Sequence, residues 1–203
     1  MGKKRLNTVF ANVTVAAAIL ATGLISANRL GTQTGQRLDV SPTNQTVVTE
    51  FQKALADYVK IRDTAIASFK PVAKDATPVE IDVNQRLTSR AIANARAQAR
   101  PGSVFHPAVR EYVRRTLADV FKQLDGKGVR ASILDENPIG TAVRINGPYP
   151  DGIPLATMPP QVLEALPRLP PDLEYRFVGD RLILFDSHAQ LIIDYIDAAL
   201  PKA

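Results

Sequence analysis

Apolar residues recur every three or four positions in three stretches of the chain, a spacing that places them on one face of an α-helix. The first stretch is Asn44–Phe69, the second is Asp82–Ala99 and the third is Pro107–Leu124. Pro71 follows the first stretch and Gly126 follows the third, and these are residue types that end helices. The pattern therefore predicts three successive amphipathic helices.

The second half of the chain lacks the helical spacing and contains short runs rich in β-branched and aromatic residues. Two of these runs predict isolated short strands, Val129–Leu134 and Thr141–Asn146. Three more follow near the end of the chain with short polar turns between them, and they predict a three-stranded antiparallel meander. Its strands are Glu174–Val178, Arg181–Asp186 and Leu191–Ile196. The fold class predicted for the chain is therefore α+β.

Proline dominates the segment that precedes the meander, with eight prolines in the 24 residues from Pro148 to Pro171. Proline has no N–H to donate and is excluded from the interior of a sheet. We expect this segment to run in extended form over the surface, with one short helix at Pro160–Ala165.

The meander is apolar on both faces, because Leu182 and Leu184 alternate with Ile183 and Phe185. A sheet of this kind needs cover on each side. We therefore expect residues 44–203 to form a single α+β domain in which the helices pack on the meander.

The beginning of the chain has the layout of a secretory signal peptide, in which a basic triplet precedes an apolar core and small residues. Lys3, Lys4 and Arg5 are followed by an uncharged run that ends at Asn28. An uncleaved membrane anchor through residues 8–27 is the alternative, because a spanning helix needs about 20 apolar residues. Either interpretation exports the chain from residue 28 onward to the periplasm or cell envelope. Residues 1–27 are thus the leader or anchor, and residues 28–43 are a flexible linker.

The charge of the chain gives little support for binding to nucleic acid. The net charge is +5, and the basic triplet supplies three of those charges while residues 1–27 contain no acidic residue. The exported part is therefore near +2, and we expect no nucleic-acid partner. We interpret the arginines that recur along the second predicted helix as a solvated face. They are Arg86, Arg90, Arg96 and Arg100.

The residues that could perform chemistry are few. The chain has no cysteine, which excludes disulfides, thiolate metal sites and cysteine nucleophiles. Asp186 and His188 would face the same side of an extended strand and could ligate a metal or orient a base. The alternative is a hairpin turn in which Asp186 accepts hydrogen bonds from nearby backbone N–H groups. His106 precedes Pro107 and is expected near the start of the third helix, where it could bind an anion or cap the helix. Asp135 and Glu136 are adjacent carboxylates, which point in opposite directions in a strand.

Two segments of the chain resemble a group of uncharacterised exported bacterial proteins. They are Ala91–Pro107, with Arg100-Pro101-Gly102 and Phe105-His106-Pro107, and Leu169–Asp194, with Leu169-Pro170-Pro171-Asp172 and Tyr175-Arg176-Phe177-Val178-Gly179. The matching residues amount to about a quarter of the chain, and the resemblance implies export without indicating catalytic residues. The second segment is also similar, over a shorter length, to the hairpin of periplasmic nickel/cobalt-homeostasis proteins, and a Gly-Asp turn between strands can produce that pattern by itself.

Taken together, these features predict an exported, non-catalytic envelope protein. We expect it to bind or scaffold a protein, peptide or glycan partner, with the edge of the C-terminal sheet as a candidate surface. We expect neither a cofactor nor a metal ion, since no Gly-rich phosphate loop or ligand cluster is present in the sequence. The alternative is a periplasmic hydrolase or metal-binding protein that uses His106 and His188.

Overall fold

Eight elements follow one another in the part of the chain that the computed structural model describes, residues 42–70, 72–123, 125–136, 140–150, 152–154 and 158–202. The helices and strands are α1 (Pro42–Ile66), α2 (Pro78–Ala95), α3 (Pro107–Gln123), α4 (Gly126–Glu136), α5 (Pro160–Ala165), β1 (Leu173–Val178), β2 (Arg181–Asp186) and β3 (Leu191–Ile196). All of these elements belong to one compact unit, Asp39–Ala203. The α+β class is confirmed, whereas the leader and most of the linker lie outside the described residues.

The three strands form an antiparallel sheet in the order β1-β2-β3, which confirms the predicted meander. β1 and β2 pair regularly from Leu173 opposite Asp186 to Val178 opposite Arg181. Gly179 begins the turn between them with a φ of 60°, the sign that a type II′ turn requires at its first central position. The pairing of β2 with β3 shifts register between Leu184 and Phe185. The β1–β2 hairpin is thus the most regular part of the sheet.

The three predicted helices are present as α1, α2 and α3, with shifts at their ends. α2 begins four residues earlier than the apolar pattern indicates because Thr77 and Glu80 form a capping box. The Thr77 N–H donates to the Glu80 carboxylate at 2.7 Å, and the Glu80 N–H donates to the Thr77 hydroxyl at 3.3 Å. These bonds satisfy donors that the first turn of a helix leaves free.

The two isolated strands predicted in the middle of the chain are wrong. Val129–Leu134 lies within α4, where Val129 and Ile133 are one helical turn apart and pack on the core. A short apolar run fits a buried helix as well as a strand, and packing decides between them. Asp135 and Glu136 consequently lie at the end of a helix and not in a strand. Thr141–Asn146 contains no strand. Pro148, two residues further on, pairs with Leu191 of β3 through an isolated bridge.

Both faces of the sheet are covered, as the alternation of its apolar residues requires. On one face Tyr175, Leu184 and Ile193 pack in the main core with the helices. On the other face Phe185 and its neighbours pack beneath Val143, Tyr149 and Tyr195. The Tyr149 and Phe185 rings meet edge to face with centroids 5.5 Å apart. Val143, in the segment wrongly predicted as a strand, and Tyr149, which follows that segment, therefore supply the second cover of the sheet. The short helix expected at Pro160–Ala165 is present as α5.

Candidate functional site

Asp186 ends β2 and is completely buried. One of its carboxylate oxygens accepts a hydrogen bond from the Ala189 N–H at 2.8 Å, which confirms the predicted bond to a nearby backbone amide. The other oxygen accepts a hydrogen bond from the Tyr58 hydroxyl of α1 at 2.5 Å. Asp186 therefore joins the β2–β3 turn to the first helix.

Tyr58 and Arg62, one turn apart on α1, surround the second oxygen of Asp186. Burial, followed by the negative charge of Asp186, raises the pKa of the Tyr58 hydroxyl above its ordinary value. The phenol thus remains a proton donor to the carboxylate at neutral pH. Arg62 lies 3.5 Å from the same oxygen and 3.6 Å from the Asp172 carboxylate. A buried carboxylate is tolerated when it is paired and hydrogen-bonded in this way.

Asp194, in the middle of β3, is a second completely buried carboxylate. It accepts hydrogen bonds from the loop before α3, with Gly102 N at 2.9 Å, Val104 N at 2.8 Å and Phe105 N at 2.8 Å. The N–H of Tyr195 adds a further bond at 2.8 Å. Gly102 adopts a φ of 94°, which favours glycine, and a Cβ atom there would collide with the Arg110 side chain. Asp194 therefore holds the loop against the sheet.

Arg96 caps the C-terminal end of α2 and is buried, so the prediction that it belongs to a solvated face is wrong. Its guanidinium donates to the Ile193 carbonyl at 3.0 Å and to the Asn146 side chain. The same guanidinium lies over the Tyr58 ring, 5.1 Å from the centroid. Burial lowers the pKa of Arg96, an effect that the Asp194 charge opposes. Arg96 thus connects α1, α2, β3 and the second cover of the sheet.

The two histidines stand apart from this buried network. His106 precedes α3, and its carbonyl accepts the Arg110 N–H at 3.0 Å, as expected near a helix start. Its Nε2 atom lies 3.7 Å from a carboxylate oxygen of Glu50, which is exposed. His188 is exposed in the turn between β2 and β3 and forms no hydrogen bond or ion pair with any residue in the described part of the chain. No contact of this kind joins the two histidines or brings His188 to Asp186.

The two buried carboxylates, Asp186 and Asp194, hold neighbouring segments of the fold together. Each carboxylate has donors on both oxygens, and these donors come from the backbone, Tyr58 and Arg62. A carboxylate that ligates a metal or takes a proton from a substrate needs an open oxygen. Within the described residues, no group of three or more His, Cys, Asp or Glu side chains is placed to hold a metal ion. Sequence reasoning missed Asp194, Arg96 and Tyr58, because charged and phenolic residues in amphipathic patterns resemble exposed positions.

A groove of about 550 Å³ runs beside β1, at the edge of the sheet that faces away from β2. Its apolar wall comes from α5 and the residues leading to β1, and Glu174 and Arg176 of β1 also line it. The wall residues include Met158, Leu163, Leu169 and Leu173. The Tyr175 hydroxyl donates to the Pro167 carbonyl at 3.0 Å, and Gln52 Nε2 donates to the Arg168 carbonyl at 2.8 Å. These bonds fix the wall to β1 and to α1, so the groove is preformed.

Comparison of the chain with protein-family models, with curated proteins and with solved structures found no match. In the part of the chain that the structure describes, no helix combines the length and the apolar character that crossing a membrane requires.

Proposed function

We propose that this chain is an exported, non-catalytic envelope protein that binds an extended segment of a protein partner along β1. Strand addition supplies affinity through backbone hydrogen bonds, and an adjacent groove supplies specificity through side chains. The leader pattern of residues 1–27 supports export, with the basic triplet and apolar core that secretion uses.

The observation that carries the proposal concerns the backbone N–H and C=O groups on the outer edge of β1. A two-residue turn places Val178 and Arg181 in a hydrogen-bonded pair, so Phe177 and Tyr175 direct their backbone groups away from β2. No backbone group among the described residues bonds to these outward N–H and C=O groups. As far as the described residues are concerned, the edge is therefore open to a new strand, and the groove includes residues of β1.

Photocrosslinking in the cell envelope tests this function. A photoreactive phenylalanine replaces Leu163, a residue of the groove wall that is 48% exposed. The matched control carries the same group at Val79, which is 70% exposed on α2 and lies outside the groove. We expect discrete protein adducts at position 163 that are absent at position 79. Adducts at neither position, or the same adducts at both, would contradict binding at β1.

A further inference from the structure

We infer that the segment bound at β1 is the β1 strand of a second copy of this chain, so that two sheets join into one continuous six-stranded sheet. The inference rests on the proposed function, since it names the partner of the same edge. It is carried by the order of charges along β1 and by the outward backbone groups of β1, to which no described backbone group bonds apart from the Pro170 carbonyl.

The free backbone groups define which register two β1 strands can adopt. Leu173, Tyr175 and Phe177 alternate along the outer edge, and the Leu173 N–H is already bonded to the Pro170 carbonyl at 3.3 Å. An antiparallel pair centred on Tyr175 places these outward residues opposite one another. The two Tyr175 backbones then bond each other, and each Phe177 N–H meets the Leu173 carbonyl of the other copy. The only N–H left out of this ladder is the one that Pro170 already satisfies.

The charges of β1 are complementary in that register. Glu174 of one copy lies opposite Arg176 of the other, in a non-hydrogen-bonded pair where facing side chains approach closely. Within one copy the Arg176 guanidinium already donates to Glu174 through Nε at 2.8 Å, so pairing produces a ring of alternating charges. Edge strands that avoid pairing commonly carry prolines or bulges, and β1 has neither, since its sequence is Leu-Glu-Tyr-Arg-Phe-Val and its pairing with β2 is unbroken. Its two charged residues have opposite signs, so in this register they attract instead of repelling.

The apolar wall of the groove gives the second copy a surface to cover. Leu163 of α5 is among the most exposed large apolar residues of the described chain. It lines the same groove as Tyr175. Symmetric pairing around Tyr175 brings the two α5 helices to the same face of the joined sheet, where the exposed leucines lose contact with water.

Register-specific disulfide formation provides the main test, and the absence of cysteine from the chain makes it unambiguous. Full-length Glu174→Cys and Arg176→Cys copies carrying different tags are produced together in the envelope. In the inferred register positions 174 and 176 face each other at about 4.5 Å between Cα atoms, within the range that a disulfide spans. We expect a crosslinked pair containing both tags. Each variant alone should give none, because identical positions lie roughly 8 Å apart, beyond disulfide reach.

A charge-reversal series gives an independent measurement on the unlinked protein. Glu174→Arg places two arginines opposite each other and should weaken dimerisation at least tenfold in sedimentation equilibrium. Arg176→Glu should do the same, and the double reversal should restore the dimer because the opposite charges face each other again. Asp57→Arg, at an exposed position of α1, makes the same change in net charge as Glu174→Arg and should leave dimerisation unchanged. Circular dichroism confirms that each variant is folded.

Several outcomes would overturn the inference. A monomeric wild-type protein with no crosslink in the mixed cysteine experiment rules out the second copy. A crosslink in the Glu174→Cys variant alone indicates a pairing that is not centred on Tyr175 and rules out this register, as does a double reversal that remains monomeric. If these results accompany position-163 adducts to a different protein, the inference falls while the proposed function stands. If adducts at position 163 are absent as well, both fall.

Discussion

The two edges of the sheet differ in whether another described segment of the chain forms hydrogen bonds with them. The β3 edge is closed by the chain itself, since Asn146 N donates to the Ile192 carbonyl and Ile192 N donates to the Gly147 carbonyl, both at 2.9 Å. The β1 edge has no such backbone cover among the described residues and borders a preformed groove. Because an unpaired edge promotes association, the β1 edge is the one at which we propose binding.

Two of the buried charges, Asp194 and Arg96, lie on the closed side, whereas Asp186 lies on the central strand. Asp194 and Arg96 fix the loop before α3 and the segment around Asn146 to β3. The charges on the open side, Glu174 and Arg176, are partly exposed. The comparison predicts that substitutions beside β3 reduce stability, whereas substitutions beside β1 reduce association and leave stability nearly intact.

The largest effect is expected for Asp194→Ala. The substitution leaves the buried N–H groups of Val104 and Phe105 without an acceptor, and each such group costs about 1–3 kcal/mol. We expect the free energy of unfolding to fall by at least about 3 kcal/mol in urea titrations followed by circular dichroism. Asp197→Ala is the control, since its exposed pair with Arg181 is worth less than about 1 kcal/mol. Equal losses in the two variants would remove the distinction between buried and exposed carboxylates.

Arg96→Met should weaken the hydrogen bonds between the Asn146–Gly147 segment and the β3 edge. Methionine keeps the apolar stem but loses the bonds to Ile193 and Asn146, at a cost of about 2–3 kcal/mol. Hydrogen exchange at the Ile192 N–H should accelerate, because Asn146 and Gly147 lose their anchor to α2. Arg90→Met on the exposed side of the same helix should stay within about 0.5 kcal/mol of the wild type. Unchanged exchange at Ile192 would show that the cover holds without Arg96.

Tyr58→Phe tests the bond to Asp186 at the end of the central strand, and we expect a loss of about 1–2 kcal/mol at neutral pH. Folding raises the pKa of Tyr58 above its ordinary value of 10.0. Below pH 10 the phenol is neutral in both states, and above it the unfolded chain ionises first. Wild-type stability should therefore decline above about pH 10 by up to 1.4 kcal/mol per pH unit for this tyrosine.

The stability of the Tyr58→Phe protein should decline less steeply above pH 10, because this variant lacks the ionising phenol. Urea titrations at several pH values between 7 and 11 measure the difference. Some decline should persist in the variant, because burial also raises the pKa of Tyr175. Parallel profiles for the two proteins would mean that Tyr58 does not contribute to the pH dependence.

Leu163→Ser should affect the open edge alone. Half-exposed leucine contributes little to folding, so we expect a change in unfolding free energy of no more than about 1 kcal/mol together with loss of the dimer. Leu166→Ser, at a buried position three residues later, should cost more than about 2 kcal/mol. A Leu163→Ser protein that still dimerises fully would show that the groove wall is not part of the interface.

The smallest effects are expected for His106→Ala and His188→Ala, which lie at neither edge. Both should remain within about 0.5 kcal/mol of the wild type, since His188 is exposed and the contact of His106 with Glu50 is a surface pair. Complementation of a deletion strain should also be unchanged. A folded His188→Ala protein that fails to complement would instead favour the hydrolase or metal-binding alternative.

Much of the meander could be predicted from the sequence because the residues that determine it are close together along the chain. Alternating apolar residues and a two-residue Gly-Asp turn specify a hairpin without reference to other parts of the chain. Arg181–Asp186 and Leu191–Ile196 were accordingly predicted with the bounds that the structure has. The same holds for α5, since Pro160 stands in its first turn, where proline is well tolerated.

Long-range contacts decided the rest. The run Val129–Leu134 could form a strand or a helix by local preference, and contact with the main core made it part of α4. In the sequence, Asp194 and Arg96 look like ordinary polar positions of a strand and a helix. They are buried because loop N–H groups and a strand carbonyl, 89 to 97 positions away along the chain, complete their hydrogen bonds. Only the folded chain brings those partners together, and only then is a buried charge stable.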